Sequence, residues 1–561
     1  MDRSIRSSGK ALVFSAVTLA IVGAQGLCLA QTAPAKQTDA TAPGPSPAVA
    51  PTAPGPATGS ESVVGTTTQG GIQGPSAADA AASLALPPAP VEAQAPAVVA
   101  PPPAPVEVQP ADIDAVDAPA QESWFARPPI TATYGKGQKR LTLTLFGVVQ
   151  ASAIHDSTRS YGESIGSELV ERNDVLAGKQ GRTQFSSRGT RLGLSLESPD
   201  YDGFHTLSMV SFGIGPQAIS PPATTEGRYY STPTLGLYQA YVKVENPYVD
   251  VLAGLTYGLF GWQNYYFPCT AEYFGLPNQT FSRNTQLRLS HRFGELTGPV
   301  SAEVAVAAVR PAQRDAELPD GNAGLRIAVN GWKGIGTGGV SKTIAMPLSF
   351  GVSGVFRQIK ANAFTPPPAQ KSNAVKGWGV SFDAYLPIIP AKDDFDRGNR
   401  LTLTGSLVLG TGIGDLVNST GGAIFPRLPN PALVQPAPVY NANVDDGIVT
   451  FDTKGVLHTI DWRTINAGFQ YYLPPTGRVF ITGNITHSYS KNIEGLYPRG
   501  GTEVNLLTFV ARQTRYYDAN LFFDATATLR VGASVQYTAV EYIDGNKPHN
   551  VREMLQALYV F

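Results

Sequence analysis

The sequence predicts an all-β fold, a transmembrane antiparallel β-barrel of sixteen strands that is preceded by a disordered Pro- and Ala-rich tract. Three observations predict it. Residues 124–561 consist of stretches in which apolar and polar residues alternate, separated by turn residues. Residues 1–30 have the pattern of a secretory signal. The chain ends inside an alternating stretch on an aromatic residue.

The signal pattern has three parts. Arg3, Arg6 and Lys10 precede an apolar run over 11–30, which ends in a small-x-small sequence at 28–30. This arrangement predicts a signal peptide at 1–30 that is cleaved after export to the periplasm. A retained membrane anchor is the alternative, and the cleavage-like site makes it the weaker one.

The next segment, 31–123, has the composition of a disordered periplasmic spacer. It holds 18 of the 46 prolines and no Phe, Trp or Tyr. Without aromatic residues it has too little apolar surface to offset the entropy cost of ordering. A segment that grips the cell wall is the sharper alternative, but composition favours a plain linker.

Alternation is clearest in 191–197, 235–245, 284–292 and 401–409, where one face of the predicted strand is apolar and the other is polar or small. Such a strand separates hydrocarbon from water, and an even number of strands closes a barrel. The predicted strands are 140–155, 184–197, 204–213, 233–245, 249–257, 282–293, 300–310, 322–330, 347–359, 377–387, 400–410, 457–472, 478–489, 510–525, 529–543 and 549–561.

Composition excludes several function classes. Charged residues make up 15% of the chain and the net charge is −1, which argues against a nucleic-acid partner because that needs a basic surface. Two cysteines, and six histidines without ligand spacing, predict no disulfide framework, no metal site and no cofactor. The expected surroundings are outer-membrane lipid.

The last predicted strand ends in a pattern of aromatic residues. Leu555, Ala557, Tyr559 and Phe561 share one face of the last predicted strand. A final Phe with an aromatic residue two positions before it resembles the assembly signal of Gram-negative outer-membrane barrels. The resemblance implies recognition of Tyr559 and Phe561 by the barrel-assembly machinery and a final location in the outer membrane.

Four short segments, 145–157, 187–194, 251–260 and 516–523, resemble strands of Gram-negative porins, most nearly the DcaP-like group. The resemblance implies a homotrimeric sixteen-stranded channel for passive diffusion of small hydrophilic solutes, with dicarboxylates among the favoured anions. This chain departs from the group upstream, because the Pro-rich tract shows none of the heptads of a coiled coil.

The connection at 258–281 is the expected constriction loop, since porins fold the corresponding loop into the barrel. We expect Trp262, Tyr265 and Tyr266 to narrow the pore beside Glu272, the single charged residue of the loop. The alternative is that these aromatic side chains pack against the wall or a neighbouring subunit.

Alternation points Arg191, Arg288, Arg292 and Arg326 into the barrel, because a lipid-facing arginine near mid-membrane costs about 2–4 kcal/mol. As pore-lining residues they would attract anions and orient carboxylates through forked donors. The alternative is that they pair with Glu303 and Asp383 across the lumen.

The leading hypothesis is therefore a channel with a mild anion preference, not an enzyme. The second hypothesis is a structural or adhesive barrel with loop 411–456 as its contact site. A membrane-embedded hydrolase is the third, and it needs a His–Ser pair at the lipid boundary. His487 and Ser488 are sequence neighbours, so on a strand they face opposite sides and cannot act together.

Overall fold

The computed structural model describes residues 130–135, 140–165, 169–214, 235–262, 275–295, 298–311, 313, 316–337, 343–362, 372–393, 395–418, 447–452, 456–496 and 510–561. The predicted signal peptide and Pro-rich spacer lie outside these residues. No helix within the described ranges is long and apolar enough to span a membrane.

The first half of the described chain forms eleven strands. Because β-branched and aromatic residues alternate with small polar ones, each stretch favours an extended backbone. The strands are β1 Ile130–Tyr134, β2 Leu141–Asp156, β3 Arg182–Ser186, β4 Arg191–Glu197, β5 His205–Ile214, β6 Leu235–Glu245, β7 Asp250–Tyr257, β8 Arg283–Phe293, β9 Val300–Val309, β10 Asp320–Thr337 and β11 Thr343–Asn362.

The second half supplies nine more strands, one short 3-10 helix at Gly414–Leu416 and one short α-helix, Ile493–Leu496, which we label α1. The strands are β12 Ser372–Ile389, β13 Arg400–Thr411, β14 Val449–Phe451, β15 Leu457–Thr459, β16 Asp461–Tyr472, β17 Val479–Ser490, β18 Ala511–Asp524, β19 Leu529–Tyr542 and β20 His549–Val560. β14 and β15 pair only with each other and form a separate small sheet.

The other strands form one antiparallel sheet that closes on itself, because β2 pairs with β20. β3 and β4 lie end to end along the opposite edge of β2 and fill one position of the wall. β1 pairs with the first residues of β2, beyond the end of β20. The wall described by the structure therefore has sixteen positions, and the predicted barrel is confirmed.

The two faces of the wall differ as the alternation predicts. On β8, Leu287 and Leu289 are 51% and 42% exposed on the outer face, whereas Gln286 and Ser290 are buried on the inner face. The same pattern holds along β13, where Leu403 and Leu407 face outward and Thr402, Thr404 and Ser406 face inward. An apolar outer surface around a polar interior is the surface that lipid requires.

Connections on one rim are short, such as 246–249, 473–478 and 525–528. We call this the short-turn rim and the opposite one the long-loop rim. Exposed aromatic side chains lie close to the short-turn rim, among them Phe204, Tyr248, Phe293, Phe523 and Tyr559. Aromatic girdles of this kind mark the boundary between hydrocarbon and water in outer-membrane barrels.

Some predicted boundaries are wrong. The predicted strand 184–197 is interrupted at 187–190, where the Thr190 amide donates to the Ser187 carbonyl in a turn. The predicted strand 457–472 is divided at Ile460, because its first residues pair with β14. β1 was not predicted, and β10, β11 and β12 extend several residues beyond their predicted ends.

The closing seam joins the first and last strands of the wall. The buried Arg552 guanidinium donates to both oxygens of the buried Asp156 carboxylate, at 2.8 and 2.9 Å. At the other end of the seam the backbone of Phe561 pairs with Gly147 at 2.9 and 3.0 Å. The rings of Tyr559 and Phe561 lie 6.2 Å apart there. The predicted assembly signal thus occupies the seam, and its recognition by the assembly machinery stays a prediction.

We predict that Arg552→Met destabilises the barrel by about 3–5 kcal/mol, because it leaves the Asp156 carboxylate buried without its cation. Urea unfolding in lipid vesicles, followed by tryptophan fluorescence, measures the change. Asp156→Asn combined with Arg552→Met should recover part of the loss. Glu553→Gln, on the exposed outer face of the same strand, is the control and should unfold like the unchanged protein. Equal stability of all variants would contradict the seam argument.

Candidate solute site in the barrel lumen

The connection that follows β7 turns into the barrel. Leu259 and Trp262 pack against Ala305, Ala307 and Val309 on the inner face of β9. The next contact lies farther round the wall, where the Gly261 amide donates to the Ser353 hydroxyl of β11 at 2.8 Å. Gly261 has a φ of 66°, a backbone conformation that glycine adopts without strain. The first residues of the connection are therefore held inside the lumen.

The end of the same connection lies against the far wall. Asn278 is fully buried, and its side-chain amide donates to the Thr486 hydroxyl and the Thr514 carbonyl at 3.1 and 3.2 Å. Its side-chain oxygen accepts the Ser488 hydroxyl at 2.7 Å. These partners belong to β17 and β18, so the two described ends of the connection contact different sides of the inner wall.

A second connection, the one that follows β13, contacts the connection after β7. The backbone amide of Asn278 donates to the backbone carbonyl of Asn418 at 2.9 Å. The backbone amide of Phe281 donates to the backbone carbonyl of Leu416 at 3.1 Å. Arg357, itself buried, holds this second connection from β11 through the Asp415 carboxylate at 2.5 Å. The two connections thus brace each other inside the barrel at its long-loop end.

Between these segments and the wall lies a cavity of about 530 Å³. Its lining comes from β5 to β11 and from the start of the inward connection. Four basic and two acidic side chains line it: Lys243, Arg288, Arg292, Arg326, Glu245 and Glu303. The excess of two positive charges makes the cavity an anion-attracting environment at neutral pH.

Two of the predicted arginines share one carboxylate. The Arg326 guanidinium donates to Glu303 at 2.8 Å, and Arg292 lies 3.8 Å from the same carboxylate. All three occupy matching positions on the adjacent strands β8, β9 and β10, so the pairing is between neighbours and not across the lumen. The second expected partner, Asp383, accepts the Ser381 hydroxyl at 3.1 Å instead.

The other two arginines bind neutral groups. Arg288 donates to the Gln286 side chain at 2.9 Å and to the Tyr257 carbonyl at 2.7 Å. Arg288 lines the cavity. Arg191 stacks on the Tyr238 ring at 3.4 Å from the centroid and is absent from the cavity lining. The structure therefore brings three of the four predicted arginines together.

Of the predicted constriction residues, Trp262 lies within the described chain. It both packs against the wall and lines the cavity, with the Arg326 guanidinium 5.3 Å from its ring. Tyr265, Tyr266 and Glu272 lie outside the described residues. Lys243 was missed as a site residue, although the alternation of β6 places it on the inner face; it pairs with Asp250 at 3.2 Å.

As predicted, His487 and Ser488 lie on opposite faces of β17. Ser488 is fully buried on the inner face, where it binds Asn278, and His487 contacts Gln513 and the ring of Tyr489 on the other side. Several described residues near the ends of the connection 411–456 are buried as well, among them Ile413, Leu416 and Ile448. Val456, at the far end of the same connection, is 51% exposed.

We predict that Asn278→Gly loosens the inward connection while it keeps the favourable backbone at φ 66°. Loss of the side-chain hydrogen bonds should cost about 2 kcal/mol, so the amides of residues 278 and 281 should exchange with solvent roughly thirtyfold faster. Hydrogen exchange with fragment analysis measures the effect. The control Asn520→Ala removes an inner-face amide on β18 that binds Thr482 and Asp518. Unchanged exchange in Asn278→Gly would contradict the anchoring role.

Comparisons with solved structures find outer-membrane proteins that are similar to this chain. The crystal structure of the outer membrane channel DcaP of Acinetobacter baumannii matches with a TM-score of 0.52 and 13% identity, over 77% of this chain and 100% of that chain. The anion-selective porin of Comamonas acidovorans matches with a TM-score of 0.41 and 10% identity, over 75% and 100%. OprB of Pseudomonas putida gives 0.40 and 11%, over 74% and 94%.

No family model matches the chain, and no curated protein matches it in sequence. The resemblance of four short segments to the DcaP-like group is confirmed at the level of the fold by the DcaP structure. The chain therefore has the outer-membrane β-barrel fold of that channel.

Proposed function

We propose that this protein is an outer-membrane porin of a Gram-negative bacterium, through which small hydrophilic solutes diffuse passively with a preference for anions. The observation that carries the proposal is the cavity on the inner wall, where Arg288, Arg292 and Arg326 converge beside an inward connection. A sixteen-stranded wall encloses a lumen wide enough for water, unlike an eight-stranded one.

The preference for anions is supported by the charges of the cavity. Glu303 neutralises part of the charge of Arg326 and Arg292, yet the lining as a whole keeps an excess of two positive charges. Arginine binds carboxylates through two parallel hydrogen bonds, so small dicarboxylates are the substrate class that we propose.

Four further points belong to the proposal. We expect residues 1–30 to be removed at export and residues 31–123 to be a periplasmic spacer. We expect the barrel-assembly machinery to recognise Tyr559 and Phe561, and the folded barrel to associate as a homotrimer. The apolar outer surface fits both lipid and a neighbouring subunit.

Planar bilayers containing the purified protein test the function directly. An open channel that carries current in simple salt supports a porin. A barrel that is correctly folded and electrically silent would refute it and favour a structural or adhesive role. Lipid cleavage by the same preparation would favour a hydrolase.

We predict that Arg288→Gln combined with Arg326→Gln lowers the anion-to-cation permeability ratio. One unit charge at 4 Å in water is worth about 1 kcal/mol, so each removal should reduce the ratio by roughly fivefold or less. The reversal potential across a salt gradient measures the ratio. Arg515→Gln is the matched control, because Arg515 lies on the exposed outer face of β18. If the protein without substitutions is cation-selective, the proposed role of the arginines is refuted, whereas the channel function is not.

We predict the opposite shift for Glu303→Gln, which removes the carboxylate that Arg292 and Arg326 share. The anion-to-cation ratio should rise by a similar factor, because the lining gains one net positive charge. The same reversal-potential measurement detects it. A fall in the ratio would show that Glu303 does not act on permeating ions through these arginines.

A further inference from the structure

The last residues of strand β10 do not follow the barrel wall. Its pairing with β11 shifts between Val329 and Lys333, so residues 330–332 form a bulge. After the bulge, Lys333 pairs with Ala391 in the turn that follows β12, and the Ala391 amide donates to the Lys333 carbonyl at 2.8 Å. A bulge bends a strand and redirects it. The last residues of β10 and the first residues of β11 therefore turn away from the wall and into the lumen.

These residues, 333–336 and 345–347, form what we call the inner hairpin, and it lies on the inner face of the barrel. The Tyr385 hydroxyl donates to the Gly334 carbonyl at 2.8 Å, and the Thr402 hydroxyl donates to the Ile335 carbonyl at 3.0 Å. Both side chains are buried and point inward from β12 and β13. The wall thus supplies the hydrogen bonds that the bent strand no longer receives from a neighbour.

Ile335 extends the contact of the inner hairpin with the wall beyond β13. It is fully buried and packs against Ala391 and three aromatic rings, Tyr472, Phe480 and Phe522. Tyr472 stacks on Phe480 with centroids 4.7 Å apart, and Phe480 stacks on Phe522 at 5.0 Å. These rings lie at the short-turn ends of β16, β17 and β18. The inner hairpin therefore covers the inner wall from β12 to β18 at the short-turn mouth.

Two glycines permit this close approach. A Cβ atom on Gly334 would lie 2.6 Å from the Thr402 hydroxyl and 2.8 Å from two carbons of Pro387. A Cβ atom on Gly336 would lie 2.5 Å from the Met346 methyl and 2.8 Å from the Tyr385 hydroxyl. By contrast, a Cβ atom on Gly331, in the bulge, would meet nothing within 4 Å. The Gly-rich sequence at 334–336 is thus explained by contact with the wall.

The inner hairpin also borders the arginine cavity. Ala345, Met346 and Pro347 line that cavity together with Gly258 and Trp262 from the inward connection after β7. The connection enters from the long-loop rim, and the hairpin belongs to the short-turn rim. The cavity is consequently bounded by one inward segment from each rim.

We propose that the inner hairpin is a second constriction, in series with a first constriction formed by the inward connection after β7. The arginine-lined cavity is then a chamber that is narrowed at both ends. This inference rests on the proposed porin function. Each end selects solutes by its own width, because flux through a pore depends on its narrow segments. A small anion held by the arginines meets the inner hairpin as the second narrow segment on its way to the short-turn mouth.

The test displaces the hairpin and leaves the first constriction intact. Gly334→Leu cannot lie against Thr402 and Pro387, and Ile335→Ser removes the apolar anchor. The matched control is Gly331→Leu, the same substitution in the bulge that precedes the hairpin, at a position with open space. Heat-dependent gel migration establishes that each variant is a folded barrel before it is measured.

Single-channel conductance and polymer exclusion are measured in planar bilayers, with neutral polymers added to one side at a time. Two equal resistances in series predict that Gly334→Leu or Ile335→Ser raises conductance by up to about twofold. Larger polymers should then enter from the short-turn side, while exclusion from the long-loop side stays unchanged. Gly331→Leu should match the unchanged protein.

Folded Gly334→Leu and Ile335→Ser channels with unchanged conductance and unchanged exclusion from both sides would overturn the second constriction. So would an equal change from both sides, because it would mean that the whole lumen had widened. If the unchanged protein carries no current at all, the proposed porin function fails instead, and the two failures are told apart by this one measurement.

Discussion

The structure depends on one constraint: in hydrocarbon, a backbone amide or carbonyl without a hydrogen-bond partner costs several kcal/mol. A sheet with two free edges would expose a row of such groups, so the first strand of the wall must meet the last. β2 therefore pairs with β20, and the buried Asp156–Arg552 pair lies at that junction. Once the sheet is closed, each strand has one face toward lipid and one toward the lumen.

The polar inner face then has to satisfy its own hydrogen bonds. Small side chains such as Thr486, Ser488 and Thr402 are buried there, and buried polar groups without partners are costly. The inward connection after β7 and the inner hairpin meet this need, since both are held by hydroxyl and amide groups of the wall. The residues that make the lumen polar are thus also the anchors of the segments that narrow it.

The inward segments do not fill the lumen evenly. Phe260, Ile413, Leu416, Trp462 and Ile493 pack together on one side of the barrel, where they contact the inner faces of β11, β13 and β16. The arginine cavity lies along the other side, from β5 to β11. Packing on one side thereby directs the remaining space to the wall that carries the charges. The electrostatic character of the cavity follows from this division as much as from the arginines themselves.

Much of the fold could be predicted from the sequence because strand alternation is local: neighbouring residues point to opposite faces whatever the rest of the chain does. That rule placed Leu287 outside and Arg288 inside without knowledge of any partner. It was less reliable where a strand is interrupted by a turn, as at 187–190, or continues away from the wall, as in β10. Local periodicity is nearly the same in these cases, so it cannot distinguish them.

By itself the sequence determined the strand count, the closed barrel and the inward direction of the four arginines, since each follows from period-two patterning and the cost of exposing polar groups to lipid. Only the tertiary structure decided that Glu303 is shared by Arg292 and Arg326, that Arg191 stacks on Tyr238, and that Ile335 reaches the rings of β16 to β18. These contacts join residues whose meeting depends on strand register and on the path of two inward segments, and neither is encoded in any short stretch of sequence.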